Sequence, residues 1–183
     1  MTPLVPHPST PEAAFGVAAG VERMATGSLR FAYRLVGSLG VVLVPEPAAW
    51  RRRDGLWEHT CFEAFVQVEG EVRYVELNVA PSGAWAAYAF ESYRKRGSEL
   101  AIVPEVRIER TADALDVEVI VDLERPGAMR IGLAAVVERI DGRHSYWALR
   151  HPTARPDFHH EDSLVLRLPA IETAPPDVRE PPS

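Results

Sequence analysis

The sequence predicts an all-β protein, a single-domain antiparallel β-sandwich of about ten strands. Short segments in which apolar and polar residues alternate recur along the chain, and a period of two is the spacing of half-buried strands. Turn residues separate these segments at steady intervals, as they do in sandwiches and barrels. A helical spacing is compatible with the sequence only near residues 91–99.

The stretch from Leu56 to Arg94 has the most informative pattern, and it contains two of the four Trp and the single Cys. Its first predicted strand has apolar residues at positions 62, 64, 66 and 68, with Glu63 on the opposite face. Its second predicted strand has apolar residues at 75, 77 and 79, opposite Glu76 and Asn78. Each strand therefore has one apolar face and one mixed face.

A two-residue hairpin turn is predicted at Glu69-Gly70, between these two strands. This turn would place Glu63 directly opposite Glu76, with β-carbons about 5 Å apart. A slip of one residue would mix the two faces, so the pattern favours this register. Like charges directly opposite each other destabilise a sheet. We therefore expect the carboxylate pair to be shielded or to have a function.

The other predicted strands follow the same alternation or form short apolar runs, except the first, residues 15–24, which is weakly patterned. They span residues 15–24, 29–36, 41–44, 102–110, 115–123, 129–140, 144–150 and 164–168. The sandwich domain is predicted to cover residues 13–169, after a Pro-rich lead-in of residues 1–12. Residues 170–183 are rich in Pro and charge, and we expect this tail to be disordered.

Three segments of the central stretch, residues 57–65, 74–78 and 81–88, together resemble a known family. They are similar to the DOMON-like group of bacterial proteins, which is related to the family-nine carbohydrate-binding modules and to the haem- or sugar-binding DOMON domains. The resemblance implies a β-sandwich that binds a ligand on one sheet face. It does not imply which ligand is bound.

The favoured function is non-catalytic binding of a small ligand, with a sugar as the expected class, because rings stack on sugar C–H faces and nearby polar groups bond the hydroxyls. His159 is included as a rim residue that a loop would bring to the sheet. The alternative interpretation is that the rings are core and the carboxylates pair with arginines. The predicted ligand-binding residues are Trp57, His59, Glu63, Glu76, Asn78, Trp85, Tyr88, Arg94 and His159.

Three other functions stay open. Glu63 and Glu76 at the predicted spacing would suit a retaining glycosidase, although the sequence favours a domain that is not an enzyme. Haem in some DOMON relatives has His and Met ligands, but none of the three Met residues stands in a recognisable axial position. The third function is a protein-interaction module whose partner docks on the aromatic face. Apart from haem, Ca²⁺ is the other cofactor that stays open, because grouped carboxylates suit this ion.

Composition limits the partners and the compartment. The net charge of −6 and the short basic run at 51–53 argue against nucleic acid as a partner. One Cys excludes an intramolecular disulfide and a Cys-based zinc cluster. Residues 1–11 lack Lys and Arg, and no continuous apolar region or membrane-length run follows. We therefore expect a cytoplasmic protein without a membrane partner; the oligomeric state is not predicted.

Overall fold

The structure is a computed structural model that describes residues 1–10, 13–46 and 50–171. These ranges contain thirteen β-strands and three short 3-10 turns, and they contain no α-helix. The described residues also include no helix long and apolar enough to cross a membrane. The strands, numbered in chain order, are β1 Thr2–Pro3, β2 Val5–Pro6, β3 Phe15–Arg23, β4 Leu29–Gly37, β5 Cys61–Val68, β6 Tyr74–Val79, β7 Trp85–Ser92, β8 Lys95–Glu99, β9 Glu105–Arg110, β10 Ala114–Val121, β11 Met129–Glu138, β12 His144–Ala148 and β13 Leu166–Leu168.

The strands form two sheets, and every pairing between them is antiparallel. The five-stranded sheet has the order β1-β3-β4-β10-β9. The eight-stranded sheet has the order β2-β12-β11-β5-β6-β7-β8, with β13 paired to β11 beside this path. The prediction of an all-β antiparallel sandwich is confirmed.

The main core lies between the two sheets and is built from alternate residues of both. On β4, Leu29, Phe31, Tyr33 and Leu35 are buried, as the alternation predicts. Burial of such side chains stabilises the fold by roughly 1.5–3 kcal/mol each. The one polar group of this row, the Tyr33 hydroxyl, donates a hydrogen bond to the backbone carbonyl of Glu63 at 2.8 Å. This bond links the two sheets across the core.

The outer faces of the two sheets differ in character. On the five-stranded sheet the outer face carries cross-strand ion pairs such as Arg30 with Glu22 and Glu118, and it faces solvent. On the eight-stranded sheet β6 is buried on both faces. The outer face there packs under residues 149–165, which we call the covering loop, and forms a second apolar cluster with Phe158 and Leu164. The candidate site therefore lies on the eight-stranded sheet.

Several details differ from the predicted strands. The predicted strand at 41–44 is a 3-10 turn, Leu39–Val41, followed by one bridge from Val42 to Arg139. Residues 91–99, where the sequence is compatible with a helix, lie in a β-hairpin in which Ser92 pairs with Lys95. In the predicted lead-in, β1 pairs with β3 and β2 pairs with β12. Positions 11 and 12 and most of the predicted tail, residues 172–183, lie outside the described residues.

The register of β5 against β6 also differs from the prediction. Glu63 is opposite Asn78, and Glu76 is opposite Phe65, because a longer loop replaces the predicted two-residue turn. The strands are shifted by two residues, and a shift of two leaves every side chain on its predicted face. Glu63 and Glu76 are therefore diagonal neighbours, which in a sheet are about 7–8 Å apart. The prediction that they stand directly opposite each other was wrong.

Candidate functional site

A half-open pocket of about 460 Å³ lies on the outer face of the eight-stranded sheet. Strands β5, β6, β7, β8, β11 and β12 supply its floor and one side. The covering loop and the 3-10 turn Leu56–Glu58 supply the rest. The lining residues are Trp57, Glu63, Glu76, Phe90, Arg94, Arg96, Val136, Tyr146, Pro156, Phe158 and His159.

The floor of the pocket contains two buried carboxyl groups. Glu63 is 3% exposed and Glu76 is 5% exposed. Asn78, which is fully buried, donates a hydrogen bond from Nδ2 to Oε1 of Glu76 at 2.7 Å. Among the described atoms, the buried Oε1 of Glu63 has no hydrogen-bond partner. Such a group costs free energy unless a ligand or solvent reaches it.

Burial is the main influence on both carboxyl groups. It raises the pKa of Glu63 well above its ordinary value, and the neighbouring charge of Glu76 raises it further. Burial also raises the pKa of Glu76, while the hydrogen bond from Asn78 opposes that rise. Both directions follow from the cost of charge in a low-dielectric site. The floor of the pocket is therefore short of positive charge or of hydrogen-bond donors.

His159 forms the wall opposite these carboxyl groups. Its Nδ1 is 2.8 Å from the hydroxyl of Tyr74, and its Nε2 is 3.8 Å from Oε2 of Glu76. The backbone N–H of Arg94 donates to the same hydroxyl at 3.1 Å, which leaves the Tyr74 proton free to bond Nδ1 of His159. Burial lowers the pKa of His159 to about 4. The imidazole is therefore neutral near pH 7.

Two arginines stand at the mouth of the pocket, both on the β7–β8 hairpin. Arg94 occupies the turn with a φ of 53°, a left-handed conformation that costs roughly 1–2 kcal/mol in a residue other than Gly. Its Nη2 bonds Asp157 of the covering loop at 2.9 Å. The guanidinium of Arg96 lies 3.6 Å from the centre of the Tyr88 ring. Both cations therefore already have protein partners.

Aromatic rings form the sides of the pocket. Trp57 is 40% exposed and meets the Tyr88 ring edge-on at 6.1 Å. Phe90 is stacked on Tyr74, with ring centres 4.7 Å apart and planes within 2°. Phe158 reaches in from the covering loop on the far side. The pocket thus combines apolar ring surfaces with polar groups at its floor, which is the general form of a small-molecule site.

The covering loop can lie flat on the sheet because β11 has a glycine beneath it. A β-carbon at Gly132 would be 3.2 Å from the carbonyl oxygen of Ser163, a distance closer than most real contacts. Arg130 then donates from Nη2 to the carbonyl of Glu161 at 2.8 Å. These two close approaches hold the end of the loop against β11. They help to place Phe158 and His159 over the pocket.

The structure brings five of the predicted site residues to the pocket: Trp57, Glu63, Glu76, Arg94 and His159. Two others lie beneath it and position its lining. Asn78 bonds Glu76, and Tyr88 supports Arg96 and donates from its hydroxyl to Asp54 at 2.6 Å.

The remaining two predicted residues lie elsewhere. Trp85 packs in the core between the sheets, because it is on the same face of β7 as Ala87 and is paired with Val79 of β6. His59 is exposed and bonds Glu138 at 2.8 Å, because the chain is still in the turn before β5 at that point.

Sequence reasoning missed six of the lining residues: Phe90, Arg96, Val136, Tyr146, Pro156 and Phe158. Alternation carried a usable signal for Phe90, since it shares a face with Tyr88 on β7. It carried the same signal for Tyr146, whose neighbour Trp147 points into the main core. Pro156 and Phe158 had no such signal, because the covering loop has no regular period.

The single Cys and the three Met residues, which could serve as a nucleophile or as haem ligands, lie outside the pocket lining. Cys61 is fully buried, and burial raises its thiol pKa well above the usual value, which disfavours the thiolate that a nucleophile needs. Met129 packs in the main core, Met1 is exposed and Met24 lies at the turn after β3. In the described part of the chain, no group of three or more His, Cys, Asp or Glu residues is arranged to hold a metal ion.

No protein-family model matches the chain, and no curated protein is found to match it. Solved structures do. A candidate carbohydrate-binding protein from Bacteroides uniformis matches with a TM-score of 0.66 at 15% identity, over 90% of this chain and 83% of that one.

A family-nine carbohydrate-binding module from Caldicellulosiruptor kristjanssonii, in complex with cellotriose, matches with a TM-score of 0.59 at 9% identity, over 94% of this chain and 83% of that one. The fold is that of a family-nine carbohydrate-binding module. A second structure of such a module from the same organism, in complex with glucose, matches with a TM-score of 0.54 at 8% identity, over 97% of this chain and 87% of that one. At these low identities, the TM-scores show that the chains share a fold.

Proposed function

We propose that the protein is a non-catalytic carbohydrate-binding domain of the DOMON-like group, and that a small sugar binds in the pocket over Glu63 and Glu76. One observation carries the proposal: two buried carboxyl groups open into a pocket that aromatic rings enclose. A sugar has apolar C–H faces and many hydroxyl donors. It therefore matches both the walls and the floor of this pocket.

The unpartnered oxygen of Glu63 supports the same proposal. A buried acceptor without a donor is retained at a cost, and a ligand hydroxyl would remove that cost. The exposed Trp57 ring at the rim offers a stacking surface that is not needed in the core. Two of the structural neighbours are named as complexes with cellotriose and glucose, which favours a small sugar as the ligand.

Catalysis by the carboxyl pair is the weaker proposal. A working acid and base are recognised by environments that push their pKa values apart. Here burial moves the pKa of both Glu63 and Glu76 in the same direction. We expect no turnover of a chromogenic glycoside at any pH, and a bell-shaped pH–rate profile that Glu63→Gln abolishes would contradict this expectation.

A thermal-shift and calorimetry screen against mono- and disaccharides tests the proposed function. A ligand that binds only the native state raises Tm as its concentration passes Kd. We expect a dose-dependent rise for one sugar class. Wells with Ca²⁺ and with haemin test whether either cofactor binds. A rise in Tm with haemin alone would replace the sugar proposal with haem binding.

Trp57→Ala should weaken binding of that sugar by about fivefold, since a ring contact is worth on the order of 1 kcal/mol. Trp57 is 40% exposed, so Tm without ligand should change little. The matched control is Trp50→Ala, which removes a Trp that is 56% exposed and lies by a different cavity. Equal affinities for the two variants would remove Trp57 from the site.

A further inference from the structure

The groups on the floor of the pocket are almost all hydrogen-bond acceptors. Glu63 has a buried, unpartnered Oε1. In Glu76, Oε1 accepts from Asn78 and Oε2 lies 3.8 Å from Nε2 of His159. In the part of the chain that the structure describes, the one ion-pair contact of either carboxyl group is His159 Nε2, at 3.8 Å from Glu76. His159 is neutral near pH 7 because burial lowers its pKa to about 4. The floor therefore lacks a counter-ion of its own.

The two arginines at the mouth do not supply that counter-ion directly. Arg94 bonds Asp157; its charge also lowers the pKa of Glu63 but does not overcome burial. Arg96 lies on the face of the Tyr88 ring; its charge lowers the pKa of Glu76 but does not overcome burial. Counting Glu63, Glu76 and Asp157 against Arg94 and Arg96, the surroundings of the pocket have one more carboxyl group than arginine. An incoming positive charge would favour the ionised form of the two carboxyl groups, whose pKa values burial raises.

The walls suit a cation as well. The faces of aromatic rings are negative and attract cations, most strongly where water is excluded. Trp57, Phe90, Tyr146 and Phe158 all line the pocket beside the carboxyl groups. A protonated amine has three donors and no acceptor, so it complements two acidic acceptors. A hydroxyl has one donor, and its own lone pairs would face the carboxylates.

We propose that the pocket selects a sugar that carries a free amino group, with its ammonium against Glu63 and Glu76. This inference rests on the proposed carbohydrate-binding function and names the class of ligand. An N-acetylated sugar is a poor match for two reasons. Its amide has one donor and no charge, and its carbonyl oxygen would meet the carboxylates. A neutral sugar would fill the volume and bring no positive charge to the two carboxyl groups.

The test is calorimetry on the full chain with two matched trios: glucose, glucosamine and N-acetylglucosamine, then galactose, galactosamine and N-acetylgalactosamine. At about pH 6.5 an amino group of ordinary pKa is protonated. In at least one trio we expect the amino sugar to bind at least about tenfold more tightly than both companions, as a charge-assisted contact is stronger than a neutral one. Equal or tighter binding of a companion in both trios overturns the proposal and leaves the proposed function standing. If no sugar of any class binds, the proposed function fails as well.

Two variants separate the charge from the shape of the site. Glu63→Gln keeps the size of the side chain, and we expect it to bring the amino sugar to within a few-fold of its companions. Glu109→Gln, at an exposed position on β9, is the control and should retain the full preference. Retention of the preference in Glu63→Gln, and also in Glu76→Gln, would show that these carboxyl groups do not select the amine.

Discussion

Glu63→Gln should melt several degrees above the unsubstituted protein at pH 8, and the difference should shrink to near zero at about pH 4. Burial and the charge of Glu76 raise the pKa of Glu63 in the folded state. The stability linked to this group is therefore complete below the unfolded pKa of about 4.3 and is lost as pH rises through the folded pKa. The Gln amide carries no charge at any of these pH values, so the variant does not lose this stability as pH rises.

The size of the effect follows from two conversions. One pKa unit corresponds to about 1.4 kcal/mol, and 1 kcal/mol moves Tm by roughly 2–4 °C in a domain of this size. His159 acts in the opposite sense, because its pKa is lowered to about 4. Stability linked to His159 is present above its unfolded pKa of about 6.5 and is lost as pH falls. Both proteins share His159, so its contribution cancels in the difference.

Thermal melts of the two proteins from pH 4 to pH 8 measure this difference. Glu109→Gln, which removes an exposed carboxyl group from β9, should show no such trend with pH. A lower Tm for Glu63→Gln at pH 8 would mean that Glu63 has a stabilising partner, and would contradict the view of an uncompensated charge. A higher Tm combined with weaker sugar binding would indicate that the site is retained at the expense of stability.

Phe158→Ala should reduce the free energy of unfolding by about 3–5 kcal/mol, the usual range for a buried Phe, and should abolish measurable sugar binding. The Phe158 ring is 8% exposed. It packs against Phe65 and Tyr146, with both ring centres 6.5 Å away. With Leu164 it is one of the two buried apolar side chains that the covering loop adds to the second apolar cluster, so its removal loosens the segment that also contains Asp157 and His159. One substitution thus removes a wall of the pocket and loosens two more polar groups.

Urea unfolding gives the stability change, and calorimetry gives the affinity of the folded protein. Phe15→Ala is the matched control, because Phe15 is 6% exposed and packs against Trp147 in the main core, away from the pocket. It should lose comparable stability and keep its affinity. Phe158→Leu should retain more of both quantities than Phe158→Ala. Wild-type affinity in Phe158→Ala would exclude the covering loop as a wall of the site.

Alternation along the chain was sufficient for much of the fold. It predicted β4 and β10 to within a few residues, and it separated the two faces of β5 and β6 correctly. Glu63 and Glu76 could be assigned to the pocket side of the sheet from this pattern. The same rule also places Trp85 beside Ala87 on the core side, which the aromatic clustering in the sequence concealed.

Two features were decided by the tertiary structure. The register of β5 on β6 depends on a loop whose length the pattern does not fix, because a period of two is unchanged by a shift of two. The covering loop has no period, so only packing on Gly132 and Phe65 brings Phe158 and His159 over the sheet. The sequence by itself determined which side chains share a face. Which residues meet across the pocket was decided by long-range packing, since contacts between distant segments leave no local pattern in the chain.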